Sequence, residues 1–186
     1  MVTPDQIQPE TLRPIKRSEY DQLVRLGAFD DERVELLRGA IVATSPQYAE
    51  HMYVIQRLLK RLSSALADRA EVRAQAPLAL ANHSEPEPDI SVVPPGDYPH
   101  EHPTTAWLVV EAADSSLRKD RKLKGPLYAE AGIAEYWIVN LAERVVEVHS
   151  GPGPNGYANC DVVAPGGRLT FQRFPDVTIA VDDILP

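Results

Sequence analysis

The sequence predicts an α/β fold: a mixed central sheet flanked by helices, with a helix and a hairpin on its N-terminal side. Three observations carry this prediction. Apolar residues recur at helical spacing over 49–68, the longest periodic stretch in the chain. Five short β-like runs follow it, at 71–80, 89–93, 107–112, 134–139 and 144–149. A helix-compatible segment separates the third run from the fourth, and strand–helix–strand is normally a right-handed parallel crossover. Runs 107–112 and 134–139 are therefore expected to lie parallel and central.

Residues 1–14 are polar, contain three prolines and are expected to be flexible. Ser18 and Asp21 stand in capping-box spacing at the head of a short helix ending at Gly27. The stretch VELLRGAIVAT, 34–44, reads as a hairpin turning at Arg38-Gly39. In the long helix, Val54, Ile55, Leu58, Leu59, Leu62, Ala65 and Leu66 form the buried stripe, while Gln56, Arg57, Lys60, Arg61 and Ser64 occupy most of the other side. In RKDRKLKGPLYAEAG, Pro126 suits a first helical turn and Gly132 a C-terminus. A helix starting at Gly125 or Pro126 would leave Lys124 just outside it. The remainder, from Gly151, reads as loops and two edge strands.

The chain of 186 residues suits one core, a single domain over 1–186. Apolar residues at 44% and charged residues at 25% exclude disordered and collagenous classes. A net charge of −8 argues against wrapping nucleic acid by bulk charge, so any phosphate binding must be local. No apolar run is long enough for a membrane span, and the start has no signal-like pattern. A cytoplasmic setting without membrane contact is expected. Cys160, the one cysteine, has no Cys-x-x-Cys partner and reads as a bystander. His83, His100, His102 and His149 show no ligand spacing with each other or with Cys160, which disfavours zinc.

Chemistry concentrates between 85 and 124. Pro88 cannot donate to a ladder, so pairing should begin at or after Asp89 and hold its carboxylate at a strand mouth. Glu111 is a lone acid inside Leu108-Val109-Val110-Glu111-Ala112, where an unpaired carboxylate costs several kcal/mol. Two acids on neighbouring strands suit a hard cation such as Mg²⁺. The plain alternative is Glu111 paired with an Arg or Lys and Asp89 capped by backbone N–H groups. Arg118, Lys119, Arg121, Lys122 and Lys124 then place five cations in seven residues. Alone such a run is a solvated face; beside paired acids it reads as phosphate attraction.

These residues resemble the bacterial Uma-type restriction endonuclease family of the PD-(D/E)XK nuclease superfamily. The matching stretches are Glu87-Pro88-Asp89, Val109-Val110-Glu111 with Asp114-Ser115-Ser116, and Asp120-Arg121 with Lys124. Tyr128-Ala129-Glu130-Ala131-Gly132 and Glu135-Tyr136-Trp137-Ile138-Val139 follow. Upstream, Glu35-Leu36-Leu37-Arg38-Gly39, Ser45-Pro46 and His51 also match. The resemblance implies a restriction-endonuclease-like core and Mg²⁺- or Mn²⁺-dependent hydrolysis of nucleic acid, DNA first. It implies Asp89 and Glu111 as metal ligands and a catalytic lysine. The superfamily motif would put lysine at 113, which here is alanine; a side chain two residues on would share the face of Glu111. The family places its lysine on the next helix, which lands on Lys124, with Lys122 in reserve. Glu35 is implied near the pocket, holding a metal water or binding Lys124; otherwise it faces solvent in the hairpin. Arg118, Arg121, Lys122 and Tyr128 are expected to bind substrate. Asn140 departs from the family's usual aspartate.

His51 shares the buried stripe and reads as a core histidine bonded to backbone. Trp107 and Trp137 read as packing, and Glu135 as a structural partner for Arg118 or Arg121. A homodimer is expected, since cutting both strands of a duplex needs two sites. The competing readings are the same fold with an impaired site, binding nucleic acid or protein without cutting, and a two-carboxylate glycoside hydrolase. The latter is disfavoured by an aromatic content of 6%.

Overall fold

A computed structural model describes residues 12–44 and 46–186. Residues 1–11 of the stretch expected to be flexible, and Ser45 of the Ser45-Pro46 pair, lie outside the described residues.

The first helix, α1 (Arg17–Arg25), is capped earlier than the Ser18–Asp21 spacing indicates. The Glu19 carboxylate accepts the Lys16 backbone N–H at 2.9 Å, and the Arg13 guanidinium braces the same carboxylate. Strands β1 (Val34–Leu37) and β2 (Ala40–Ala43) form the expected hairpin. Its two-residue turn places Arg38 at φ 52° and Gly39 at φ 80°, the left-handed pair that matches the twist of hairpin strands.

The long helix is α2 (Ala49–Leu66), and its apolar stripe buries Val54, Ile55, Leu58, Leu62 and Leu66. Each such side chain contributes about 1.5–3 kcal/mol on leaving water. The sheet beneath it comprises β3 (Glu71–Ala74), β4 (Ile90–Val93), β5 (Leu108–Ala113), β6 (Glu135–Asn140), β7 (Val145–Gly153) and β8 (Gly156–Val163), in that spatial order. Strands β5 and β6 are parallel and central, as the crossover argument requires, and the other neighbours are antiparallel. The run expected over 71–80 stops as a strand at Ala74, because Gln75 takes a φ of 49° and Pro77 follows. Only β8 is an edge strand from the C-terminal region. Strands β9 (Arg168–Thr170) and β10 (Thr178–Ala180) pair with each other as a separate hairpin.

The crossover begins earlier than proline rules suggest. Helical backbone runs unbroken through α3 (Leu117–Lys119), a π turn (Asp120–Lys124) and α4 (Gly125–Glu130). In an α-helix the ring of Pro126 would crowd the carbonyl four residues back. The wider π turn, in which the Gly125 N–H reaches the Asp120 carbonyl, accommodates it at the head of α4. Lys124 therefore lies inside the helical segment, contrary to the expectation that it falls outside.

Two cores sandwich the sheet. On one face α2 packs against Val92, Val110, Trp137 and Val139. On the other, Leu127 and Tyr128 of α4 and Leu37 of β1 pack against Val109, Ala113, Tyr136 and Ile138. Trp107 packs edge-on to Phe174, in keeping with its packing role. Glu135 bonds the Trp137 indole N–H at 2.7 Å and the Gln172 backbone N–H at 2.9 Å. It does not pair with Arg118 or Arg121, because Arg121 is drawn to Glu147. Among the described residues no helix is long and apolar enough to cross a membrane.

Candidate active site

Alternation along β5 puts Glu111 on the same face as Val109 and Ala113, under the crossover helix. The antiparallel register pairs Ile90 with Val110, so one further step sets Asp89 opposite Glu111. Pro88 stops the ladder there. The Asp89 carboxylate takes its place, accepting the Ala112 backbone N–H on Oδ2 at 2.9 Å. The same oxygen lies 3.0 Å from His51 Nε2, at the N-terminal end of α2. His51 thus bonds a carboxylate rather than the backbone partner expected for it, and its buried Nδ1 has no partner among the described residues.

Lys124 is buried between two acids. Its Nζ donates to Glu111 Oε1 at 2.8 Å and lies 2.7 Å from Glu35 Oε1. The Tyr128 hydroxyl, one α-helical turn on, donates to the same Glu111 oxygen at 2.8 Å. Glu35, buried in β1, also accepts the Glu87 backbone N–H at 2.9 Å and lies 3.4 Å from Lys119 Nζ. Glu35 is therefore a lysine partner, not a solvent-facing hairpin residue. In a π turn residues five apart stack as residues four apart do in an α-helix, which is how Lys119 and Lys124 both reach Glu35.

Glu35, His51, Asp89, Glu111, Asp120 and Lys124 line one cavity of about 60 Å³, with Lys119 at its wall. Burial, reinforced by Asp89, Asp120 and Glu35 and opposed by Lys124, pushes the Glu111 carboxyl up to about 8. Burial raises Asp120 as well, against Lys124 and the Ser116 hydroxyl that donates to it at 2.6 Å. Burial opposes the charge on Lys124, but Glu111, Glu35 and Asp120 outweigh it and keep the ammonium protonated.

The donor set fits a hard divalent cation. Hydrogen bonds to Asp89 and Glu111 fall on one oxygen of each, so Asp89 Oδ1 and Glu111 Oε2 have no protein donor among the described residues. Five carboxyl groups line the cavity against two ammonium groups and the Arg33 guanidinium, an excess of acids that a cation would relieve.

The expected cation run divides. Arg118 and Lys122 are exposed and line a different depression with Val42 and Leu123. Arg121 is held by Glu147 through bonds of 2.9 and 2.5 Å. None of the three lines the carboxylate cavity. Tyr128, expected to bind substrate, is instead fully buried and donates its hydroxyl to Glu111. Lys119 and Asp120 do line the cavity; the sequence marked them only as part of a cation run and a matching stretch and gave neither a site role, because only the π turn distinguishes them from their neighbours.

The model of the Uma2 family, described as putative restriction endonuclease, matches residues 17–182. A crystal structure described as a putative nuclease belonging to DUF820, from Anabaena variabilis, superposes with a TM-score of 0.73 at 16% identity, covering 92% of this chain and 97% of that one. The likeness confirms the nuclease-type α/β fold. No curated protein matches the chain in sequence.

Proposed function

Because the chain belongs to the Uma2 family, we propose that it is a nuclease hydrolysing nucleic-acid phosphodiester bonds, DNA in the first instance, with Mg²⁺ or Mn²⁺ at Asp89 and Glu111. The observation that carries this reading is convergence: two acids on adjacent strands and the Lys124 ammonium line one cavity. An ion held there would polarise a phosphoryl oxygen and acidify a water. The chain's own residues prepare the site. The Ala112 N–H and His51 fix the Asp89 carboxylate, and Tyr128 fixes that of Glu111, each leaving one oxygen without a donor among the described residues. Lys124 stays cationic and offsets charge growing on the phosphorus oxygens, while Glu35 holds it in place. Lys119, half-buried at the wall, and the more exposed Arg33 offer positive charge to an incoming phosphate.

Of the features that favour an impaired binding module, Ala113, Gly125-Pro126 and the acidic balance, the second does not eject Lys124 from the helix. The ammonium missing at Ala113 arrives from across the cavity. Our reading further places the activity in the cytoplasm and in a homodimer, whose two cavities would serve the two strands of a duplex.

The test is incubation with supercoiled plasmid, single-stranded DNA and RNA under Mg²⁺, Mn²⁺ or EDTA, beside Asp89→Asn, with thermal melting to confirm folding. Cleavage is expected to need the metal and to fall about 10²-fold or more in Asp89→Asn. Cleavage that survives both EDTA and Asp89→Asn refutes the assignment.

A further inference from the structure

A second cluster of ligand-type side chains lies away from this cavity, on the β7–β8 hairpin. Glu147 and His149 are two apart on β7 and share a face. The register sets Cys160 of β8 directly opposite His149. His149 Nε2 lies 3.8 Å from Cys160 Sγ and 3.5 Å from Glu147 Oε2. One ligand atom from each of the three residues lies within 4.8 Å of the other two.

These separations are those of a shared ion. With Zn–N near 2.0 Å and Zn–S near 2.3 Å, a tetrahedral centre separates its N and O ligands by about 3.3 Å and its N and S ligands by about 3.5 Å. The two distances from His149 need shorten by only tenths of an ångström. The imidazole is fixed in orientation, with its centroid 5.6 Å from that of Tyr136 in a stacked pair and 5.9 Å from that of Tyr157. Glu147 is held by Arg121, which donates to both of its oxygens, and by the Asn140 amide on Oε1, so Oε2, the oxygen facing His149, would ligate while sharing the Arg121 Nε–H. The three residues open onto a surface cavity of about 390 Å³, which leaves a fourth position to water.

We propose that Glu147, His149 and Cys160 form a metal site for a borderline-soft divalent ion, Zn²⁺ foremost, distinct from the oxygen-donor pair Asp89 and Glu111. One nitrogen, one sulfur and one oxygen donor suit zinc, whereas Mg²⁺ takes oxygen ligands. Binding converts the Cys160 thiol to thiolate and releases its proton to solvent. Spacing along the chain argued against such a site, and cross-strand register, which spacing does not encode, assembles it.

Cys160 is the chain's one cysteine, so a thiolate-to-metal signal reports on it alone. Co²⁺ added to the full-length, metal-free protein is expected to give, at one equivalent, a thiolate charge-transfer band with tetrahedral visible bands. Zn²⁺ should bleach both. Cys160→Ser, at an exposed position, should abolish the charge-transfer band with unchanged circular dichroism, and His149→Ala should weaken it. Glu111→Gln should leave it intact, which separates this site from the cavity and makes the outcome independent of nuclease activity. A wild-type protein without the band, or a Cys160→Ser protein that retains it, overturns the proposal.

Discussion

Lys124 shows how strongly single residues are committed here. It is 3% exposed and held by two buried carboxylates. Lys124→Met would leave both acids without their cation, and a loss of about 3–5 kcal/mol in unfolding free energy by urea titration at pH 7 is expected. Glu85 gives the pH-dependent counterpart. Burial, with help from Asp21 and against Arg17, pushes its carboxyl up to about 7. A carboxyl whose folded pKa is raised binds its proton more tightly in the folded state. Its contribution to stability is complete below about 4.5, its ordinary value, and is lost as pH rises through about 7. Glu85→Gln should therefore raise the melting temperature relative to wild type at pH 8 and leave it nearly unchanged at pH 4.5. Asp89 and Glu111 were legible in the sequence because an acid at a strand mouth and an acid inside an apolar strand both demand partners. The partner of His51 was not legible, since helical periodicity shows which residues share a face and not what meets them.

At the scale of elements, the hairpin turn and the π turn are the tightest constraints. A Cβ on Gly39 would sit 2.4 Å from Pro14 Cβ, at a φ of 80° that alanine avoids. Gly39→Ala is expected to cost at least about 1–2 kcal/mol by chemical denaturation, and to lower activity by loosening the strand that carries Glu35. The hairpin, the long helix and the parallel pair were all readable from periodicity and turn residues. The π turn was not: proline rules describe an α-helix, and a locally wider helix is stabilised by contacts such as the Tyr136 hydroxyl on the Asp120 carbonyl, 16 residues away in the chain. The fate of the cation run followed from this. Its five charges look equivalent in sequence, and the turn alone sends Lys119 and Lys124 inward.

For the whole molecule, a charge of −8 and a cavity with few accessible cations predict weak, local capture of nucleic acid. Binding of a labelled duplex by the Asp89→Asn protein, followed by fluorescence anisotropy, should weaken with salt only gently. A log–log slope magnitude below about 3 is expected, corresponding to about three phosphate contacts or fewer. The π turn also bears on how such a chain can change over generations. A lineage that lost the codon of exposed Lys122 could close the wide turn into ordinary helix and leave Lys119 and Lys124 four apart, both still toward Glu35. The same deletion between Lys124 and Tyr128 would swing the phenol away from Glu111. Indels before Lys124 can thus be silent where those after it are not.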